Sequence, residues 1–227
     1  MFLLELIASG VSHRRSARLL RINRKTVARK LIFLGRLCRE SLFITNAFLT
    51  ITDLQFDDLE TFEHSKCKPV SVALAVETKT RLILAFRVAQ MSAKGKLTKK
   101  SLKQYGPRRD ERSKKRKELF RELAPIVCDG AIIRSDSNPY YTEDVRKHFP
   151  NCHHETVLGQ RSAITGQGEL KKIQYDPLFS LNHTCAMLRA NIARLIRKTW
   201  CTTKKKERLA DHLAIYAYYH NQHLKIA

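Results

Sequence analysis

Three acidic residues, Asp57, Asp58 and Glu60, interrupt an apolar strand-like run from Leu54 to Phe62, and a second apolar run, Ile132-Ile-Arg-Ser-Asp136, ends on an aspartate. The chain that carries them has 43 Lys+Arg against 21 Asp+Glu, a formal net charge of +22. A carboxylate on a half-buried strand of so basic a protein is either paired with a base or holds a cation. Carboxylates converging from strand ends are the ligands that metal-assisted phosphoryl chemistry uses, one divalent ion activating the attacking oxygen and one steadying the leaving oxygen. Hard Mg²⁺ takes oxygen ligands and keeps several waters, so two or three carboxylates suffice. Side chains alternate along a strand, so Asp57 and Asp58 point to opposite faces. Asp57 is the candidate ligand on the first strand and Asp136 its partner on a later one. The alternative is a pair of ordinary acids at strand ends.

Composition narrows the partner. A two-to-one basic excess spread along 227 residues suits a nucleic-acid backbone, an anionic membrane surface or an acidic protein. No apolar run approaches a membrane span. The apolar start, Met1 to Ala8, lacks a basic leader region and carries Glu5, so it is a poor signal peptide. Double-stranded DNA is the leading partner. The six cysteines form no C-x-x-C pair; Cys152-His153-His154 invites a zinc reading, but no second ligand pair follows at finger spacing. Reduced thiols of a cytoplasmic protein are the favoured reading.

The elements that must position these acids follow from periodicity. Residues 2 to about 37 read as helices, with Leu3, Leu4, Ile7 and Val11 on one face and Gly10 ending the first helix. Ser12 N-caps a second helix to Leu20, with Ala17, Leu19 and Leu20 inward. The break Arg21-Ile22-Asn23 precedes a third helix whose start is crowded with Arg24, Lys25, Thr26 and Arg29, while Val27, Leu31 and Leu34 pack inward. DNA-reading helices place their contacts at such a start; a basic helical hairpin is the plainer alternative. Residues 1–45 are thus expected to form a small all-α helix-turn-helix region, and residues 50–227 a second unit. That unit begins with three antiparallel strands, 53–63, 70–76 and 81–89. A solvated basic loop over 92–117, a helix over 111–124 and a strand over 131–135 follow. A helix near 142–148 comes next, then a strand near 153–158, a Gly-rich link from Gly159 to Gly168, and helices near 179–199 and 204–222. This order is that of an α/β, ribonuclease H-like mixed sheet with flanking helices. In it the strands of Asp57 and Asp136 are neighbours.

The last helices add Arg189, Arg194, Arg197 and Lys198 beside an apolar face of Leu188, Ile192, Leu195 and Ile196. Arg189, four residues, Arg194-Leu195, then Arg197-Lys198-Thr199 and Cys201 resembles the C-terminal signature of transposases of the bacterial insertion sequence one family, which are DDE-type enzymes. Phe56-Asp57-Asp58 and Ser135-Asp136 are similar to that family's first and second catalytic aspartates. The resemblance spans about residues 1 to 223. It implies Mg²⁺, with Mn²⁺ as a substitute, held by Asp57 and Asp136. It also implies DNA-mediated transposition by cleavage and strand transfer at terminal inverted repeats into target DNA, in a homo-oligomer on that DNA in the bacterial cytoplasm and nucleoid. The basic side chains from Arg189 to Lys198 would bring the phosphodiester to the metals. The family's zinc-binding segment has no counterpart before the first helix, so the module is lacking or the reading frame is truncated. The family's catalytic Glu, seven residues before the Arg that matches Arg189, is here Asn182. A variant Leu-Asn-His subgroup makes Asn182 the third ligand, with His183 as an aid to proton transfer; Glu169 or Asp176 are the alternatives. A decayed remnant acting as a DNA-binding repressor, and a host nuclease of the same fold, remain the competing functions.

Overall fold

Leu54 and Phe56 enter one hydrophobic core and Leu59 another, so the alternation along the first strand is what divides the molecule into layers. The computed structural model describes residues 2–158, 176–196 and 202–226. Its sheet has five strands: β1 (Ile51–Phe62), β2 (Pro69–Glu77), β3 (Ile83–Gln90), β4 (Val127–Asp136) and β5 (His153–Val157), in the order β3-β2-β1-β4-β5. β1, β2 and β3 form an antiparallel meander; β1–β4 and β4–β5 are parallel pairs. Short links suffice for the meander, while a parallel neighbour needs a crossover. The helices α4 (Leu97–Tyr105) and α5 (Arg112–Leu123) make the crossover into β4, and α6 (Pro139–His148) the one into β5. β2 is buried almost throughout, as its run Val70-Ser-Val-Ala-Leu-Ala-Val76 requires of a strand covered on both faces.

One face of the sheet is covered by α5 and α6, whose Leu119, Phe120, Leu123, Tyr141 and Val145 meet Leu54, Phe56 and Ile133. The other face is covered by helices from both ends of the chain: α1 (Phe2–Ala8), α3 (Arg24–Asn46), α7 (Phe179–Asn191) and α8 (Lys206–Ile226). Leu31 and Leu42 of α3 join Leu209 and Leu213 of α8 there; each such side chain fully withdrawn from water contributes about 2 kcal/mol before entropy is counted. Gly35 lets the two helices touch, because a Cβ added there would stand 2.7 Å from the Asp211 Cα. The change from helix to strand near residue 47 is therefore a change of element within one shared core, not a gap between two cores.

Local signals act as expected at the helix starts. The Ser12 hydroxyl accepts from the Arg15 amide at the head of α2 (His13–Leu19), and Asn23 accepts from Lys25 N at 2.8 Å. Asn138 caps α6 with Pro139 at its first position. Four expectations are corrected. The third helix continues nine residues beyond the expected end, because Cys38, Leu42 and Asn46 prolong its buried stripe. The basic loop contains α4, anchored by the buried Ser101 hydroxyl donating to Cys67 O. The helix expected to 199 ends at Asn191, followed by a short 3₁₀ turn, Ala193–Leu195. Leu19, expected inward, is exposed, while Ala17 is buried. The Gly-rich link, with Glu169, lies outside the described residues, as do Arg197 and Lys198.

Candidate active site

The ladder between β1 and β4 ends at Gln55 opposite Arg134. Asp57 and Asp136 each sit two residues beyond that last pair, so the parallel register sets them side by side on one face where pairing has ceased. That face is the α7 side. Gln55, almost fully buried, donates from its amide nitrogen to Pro177 O at 3.0 Å and accepts from the Leu181 amide at 2.9 Å, pinning the start of α7 to β1. One residue on, the opposite side of β1 carries Phe56, packed edge-on against Phe120.

The charges of this end are unevenly satisfied. Asp57 Oδ1 accepts from the Tyr141 hydroxyl at 3.1 Å and from the Asp58 amide at 2.6 Å, both neutral donors. Burial is the largest influence on the Asp57 carboxyl and lifts its pKa to about 7, with the negative charges of Asp136 and Asp58 adding to the rise. Asp136 Oδ1 accepts from the Asn138 amide at the turn into α6. Asp58 is treated differently. It accepts from Ser71 Oγ at 2.7 Å and from Tyr141, and the Arg116 guanidinium of α5 stands 3.9 Å from it. Arg116 is itself buried, bonded to Asp144 of α6, and lies over the Tyr141 ring at 4.9 Å. Tyr141 thus closes the gap between the two sides. Its burial and the acids around it push its own pKa upward, so the hydroxyl stays a donor.

Helix α7 contributes the remaining wall. Cys185 is half-buried and its thiol pKa is raised to about 12, by desolvation first and by the Asp57 charge second. Asn182 and Arg189 fall one turn before and after Cys185 on the same helical face. Among the described residues, the hydrogen bond of Asn182 runs from its amide nitrogen to Asp176 Oδ2 at 2.8 Å, and no contact joins it to Asp57 or Asp136. Asp176 also accepts from the Leu178 amide, so it serves the start of α7. His183 turns instead to the β2–β3 turn, its Nδ1 3.3 Å from Arg81 Nη1, and packs on Phe179. Arg189 is exposed, whereas Arg194 is half-buried, donates to Thr203 Oγ1 at 3.3 Å and has its pKa lowered by desolvation. Arg194 is thereby tied to the segment that leads into α8.

On the far side of the same core, Arg24, Lys25, Thr26 and Arg29 all stand exposed at the start of α3, while Val27 and Leu31 are buried. The turn before α3 holds Arg21 in the left-handed region, φ 53°, a position that commonly takes glycine in a helix-turn-helix.

The donor set suits a hard divalent cation. Two carboxylates lie side by side, and burial first, with the neighbouring negative charges second, holds the Asp57 carboxyl near neutrality at a pKa of about 7. Among the described residues no group of three His, Cys, Asp or Glu converges, so the protein offers a pair of acids and neutral oxygens. Sequence reasoning missed Tyr141, Gln55 and Cys185. Tyr141 alone left a signal, three residues beyond the Asn138 cap that follows Asp136. No protein-family model matches the chain, and no curated protein matches it.

Proposed function

We propose that this chain is a DNA transposase, with a ribonuclease H-like catalytic sheet and a helix-turn-helix, performing Mg²⁺-dependent cleavage and strand transfer at insertion-sequence ends. The observation that carries the reading is the Asp57–Asp136 pair, set side by side and, among the described residues, with no ion pair to a base, in a chain of net charge +22. The sheet order β3-β2-β1-β4-β5, antiparallel then parallel, supports the ribonuclease H-like part of it. The exposed basic start of α3 supports the DNA-binding part. No helix among the described residues is long and apolar enough to cross a membrane; the bacterial cytoplasm is the proposed location.

Asp57 and Asp136 would hold the metal, and Asn182 would add a neutral oxygen. Divalent ions at this pair supply charge neutralisation at the scissile phosphate and an activated oxygen nucleophile. The protein's own part is positioning. Tyr141 donates to Asp57 and fixes its carboxylate plane; the Asn138 amide fixes Asp136; Gln55 ties the start of α7 to β1 beside the pair. Water and then a freed 3′ hydroxyl attack in line, with no covalent protein intermediate.

The test is cleavage of terminal-repeat DNA by the purified protein in Mg²⁺ or Mn²⁺, with Asp57→Asn and Asp136→Asn as controls. Cleavage lost in both variants upholds the reading; specific binding without cleavage by the parent protein overturns it. A second reading, a repressor descended from a transposase, draws on one observation. The position of the expected third carboxylate is Asn182, and the carboxylate nearest it, Asp176, is occupied at the head of α7. Cleavage gained on Asn182→Glu by a silent parent would decide for that reading.

A further inference from the structure

The outer face of α3 is apolar where a solvated helix would be polar. Ile32, Phe33, Leu37, Phe43 and Ile44 expose between 41% and 61% of their surface, opposite the buried stripe of Leu31, Gly35, Cys38 and Leu42. Their arrangement is symmetric in kind. Read outward from Cys38, Phe33 answers to Phe43 and Ile32 to Ile44, while the exposed Leu37 answers to Arg39. At the centre Arg36 answers to Glu40, residues of opposite charge, which are exposed and already paired along the helix at 3.0 Å.

A two-fold interface sets one patch against the same patch of an identical partner, so each contact across it is made twice. We propose that the outer face of α3 pairs with the same face of a second copy of this chain, antiparallel, about a two-fold axis level with Cys38. That register sets Phe33 level with the partner's Phe43 and Ile32 level with the partner's Ile44. It also sets Arg36 level with the partner's Glu40, so each helix meets the opposite charge at the centre. A parallel pairing brings Arg36 to Arg36 and Glu40 to Glu40, and is disfavoured by like charges. The exposed apolar face is covered, which accounts for its presence on a chain otherwise this basic.

One consequence rests on the DNA-binding reading of α3. At a rise of 1.5 Å per residue, the two Arg24–Arg29 starts of the pair lie about 34 Å apart along the helix direction. That is about one turn of B-DNA, the separation at which two-fold helix-turn-helix proteins read their half-sites.

Sedimentation equilibrium of the full chain without DNA tests the pairing separately from the DNA reading. The parent chain is expected to be a dimer at low micromolar concentration. Glu40→Arg, with arginine at both positions, and Arg36→Glu, with glutamate at both, are each expected to weaken association about tenfold, and an equimolar mixture of the two to restore it. Phe33→Arg with Ile44→Arg is expected to give a monomer of unchanged circular dichroism and thermal midpoint. A parent chain monomeric at high micromolar concentration, or a mixture no tighter than its components, overturns the proposal. A dimer that binds no DNA overturns the DNA reading and leaves the pairing intact.

Discussion

Asp57 and Asp58 are consecutive residues of one strand, and the fold treats their charges in opposite ways. Asp58 faces α5, where the Ser71 hydroxyl and the buried Arg116–Asp144 pair compensate it. Asp57 faces α7, where neutral donors meet it and Asp136 raises its pKa further. An acid that the protein neutralises by itself belongs to the scaffold. An acid buried beside another acid and left short of positive charge weakens the fold at neutral pH, and that cost is offset only when a cation arrives.

The largest expected difference is functional. Asp57→Asn and Asp136→Asn should each lower cleavage of terminal-repeat DNA by at least about a thousandfold, since each removes an anionic ligand from a two-carboxylate site. Single-turnover cleavage assays in Mg²⁺ read this directly. Retained cleavage in either variant would make the two aspartates equivalent to ordinary strand acids and dissolve the contrast.

Stability should respond in the reverse sense. Asp144→Ala leaves the Arg116 guanidinium buried with only the more distant Asp58, and should destabilise by about 3 kcal/mol in urea unfolding. Asp57→Asn in metal-free protein should stabilise at pH 8. The sign follows from the raised pKa. Below about pH 4 both the folded and unfolded states hold the proton. Between the unfolded value of 3.8 and the folded value of about 7 the unfolded chain loses the proton first, so stability falls as pH rises through this window and stays low above it. Even half of that shift amounts to on the order of 2 kcal/mol. Asp57→Asn should flatten the decline. Mg²⁺ should raise the thermal midpoint of the parent at pH 8 and scarcely change it at pH 5. Equal Mg²⁺ stabilisation of parent and Asp57→Asn at pH 8 would show that the ion binds elsewhere.

Much of this contrast was legible before any coordinates. Period-two alternation separates Asp57 from Asp58 without knowing what lies on either face, and the order of strands makes β1 and β4 neighbours. The helix cap at Ser12 announces itself because a cap is a local hydrogen bond. What the sequence could not convey is tertiary. Tyr141 reaches both aspartates only because α6 packs across Phe56, and α7 is held to β1 only because Gln55 docks its start. Arg194 looked like one more solvated base of a long helix; the break after Asn191 turns it inward to Thr203. The true length of α3 was masked by the apolar residues on its outer face, which blur the inward stripe of Cys38, Leu42 and Asn46.

The smallest expected effect tests the residue that joins the two regions. Tyr141→Phe removes a hydroxyl within 3.1 Å of both Asp57 Oδ1 and Asp58 Oδ2, and keeps the ring between Phe56 and Arg116. The loss in stability at pH 5, where Asp57 is largely protonated, should be about 1 kcal/mol, as for one buried hydrogen bond. The informative part is its pH dependence. The hydroxyl favours the ionised form of Asp57, so its removal moves that pKa further up, and the proton competes with Mg²⁺ over a wider range. Mg²⁺ affinity of Tyr141→Phe, measured by calorimetry, should fall little at pH 8.5 and progressively more toward pH 6.5. A loss that is equal at both pH values would assign Tyr141 to packing alone. Asp58 would then be separated from Asp57 by the strand itself, with no shared donor between the compensated acid and the uncompensated one.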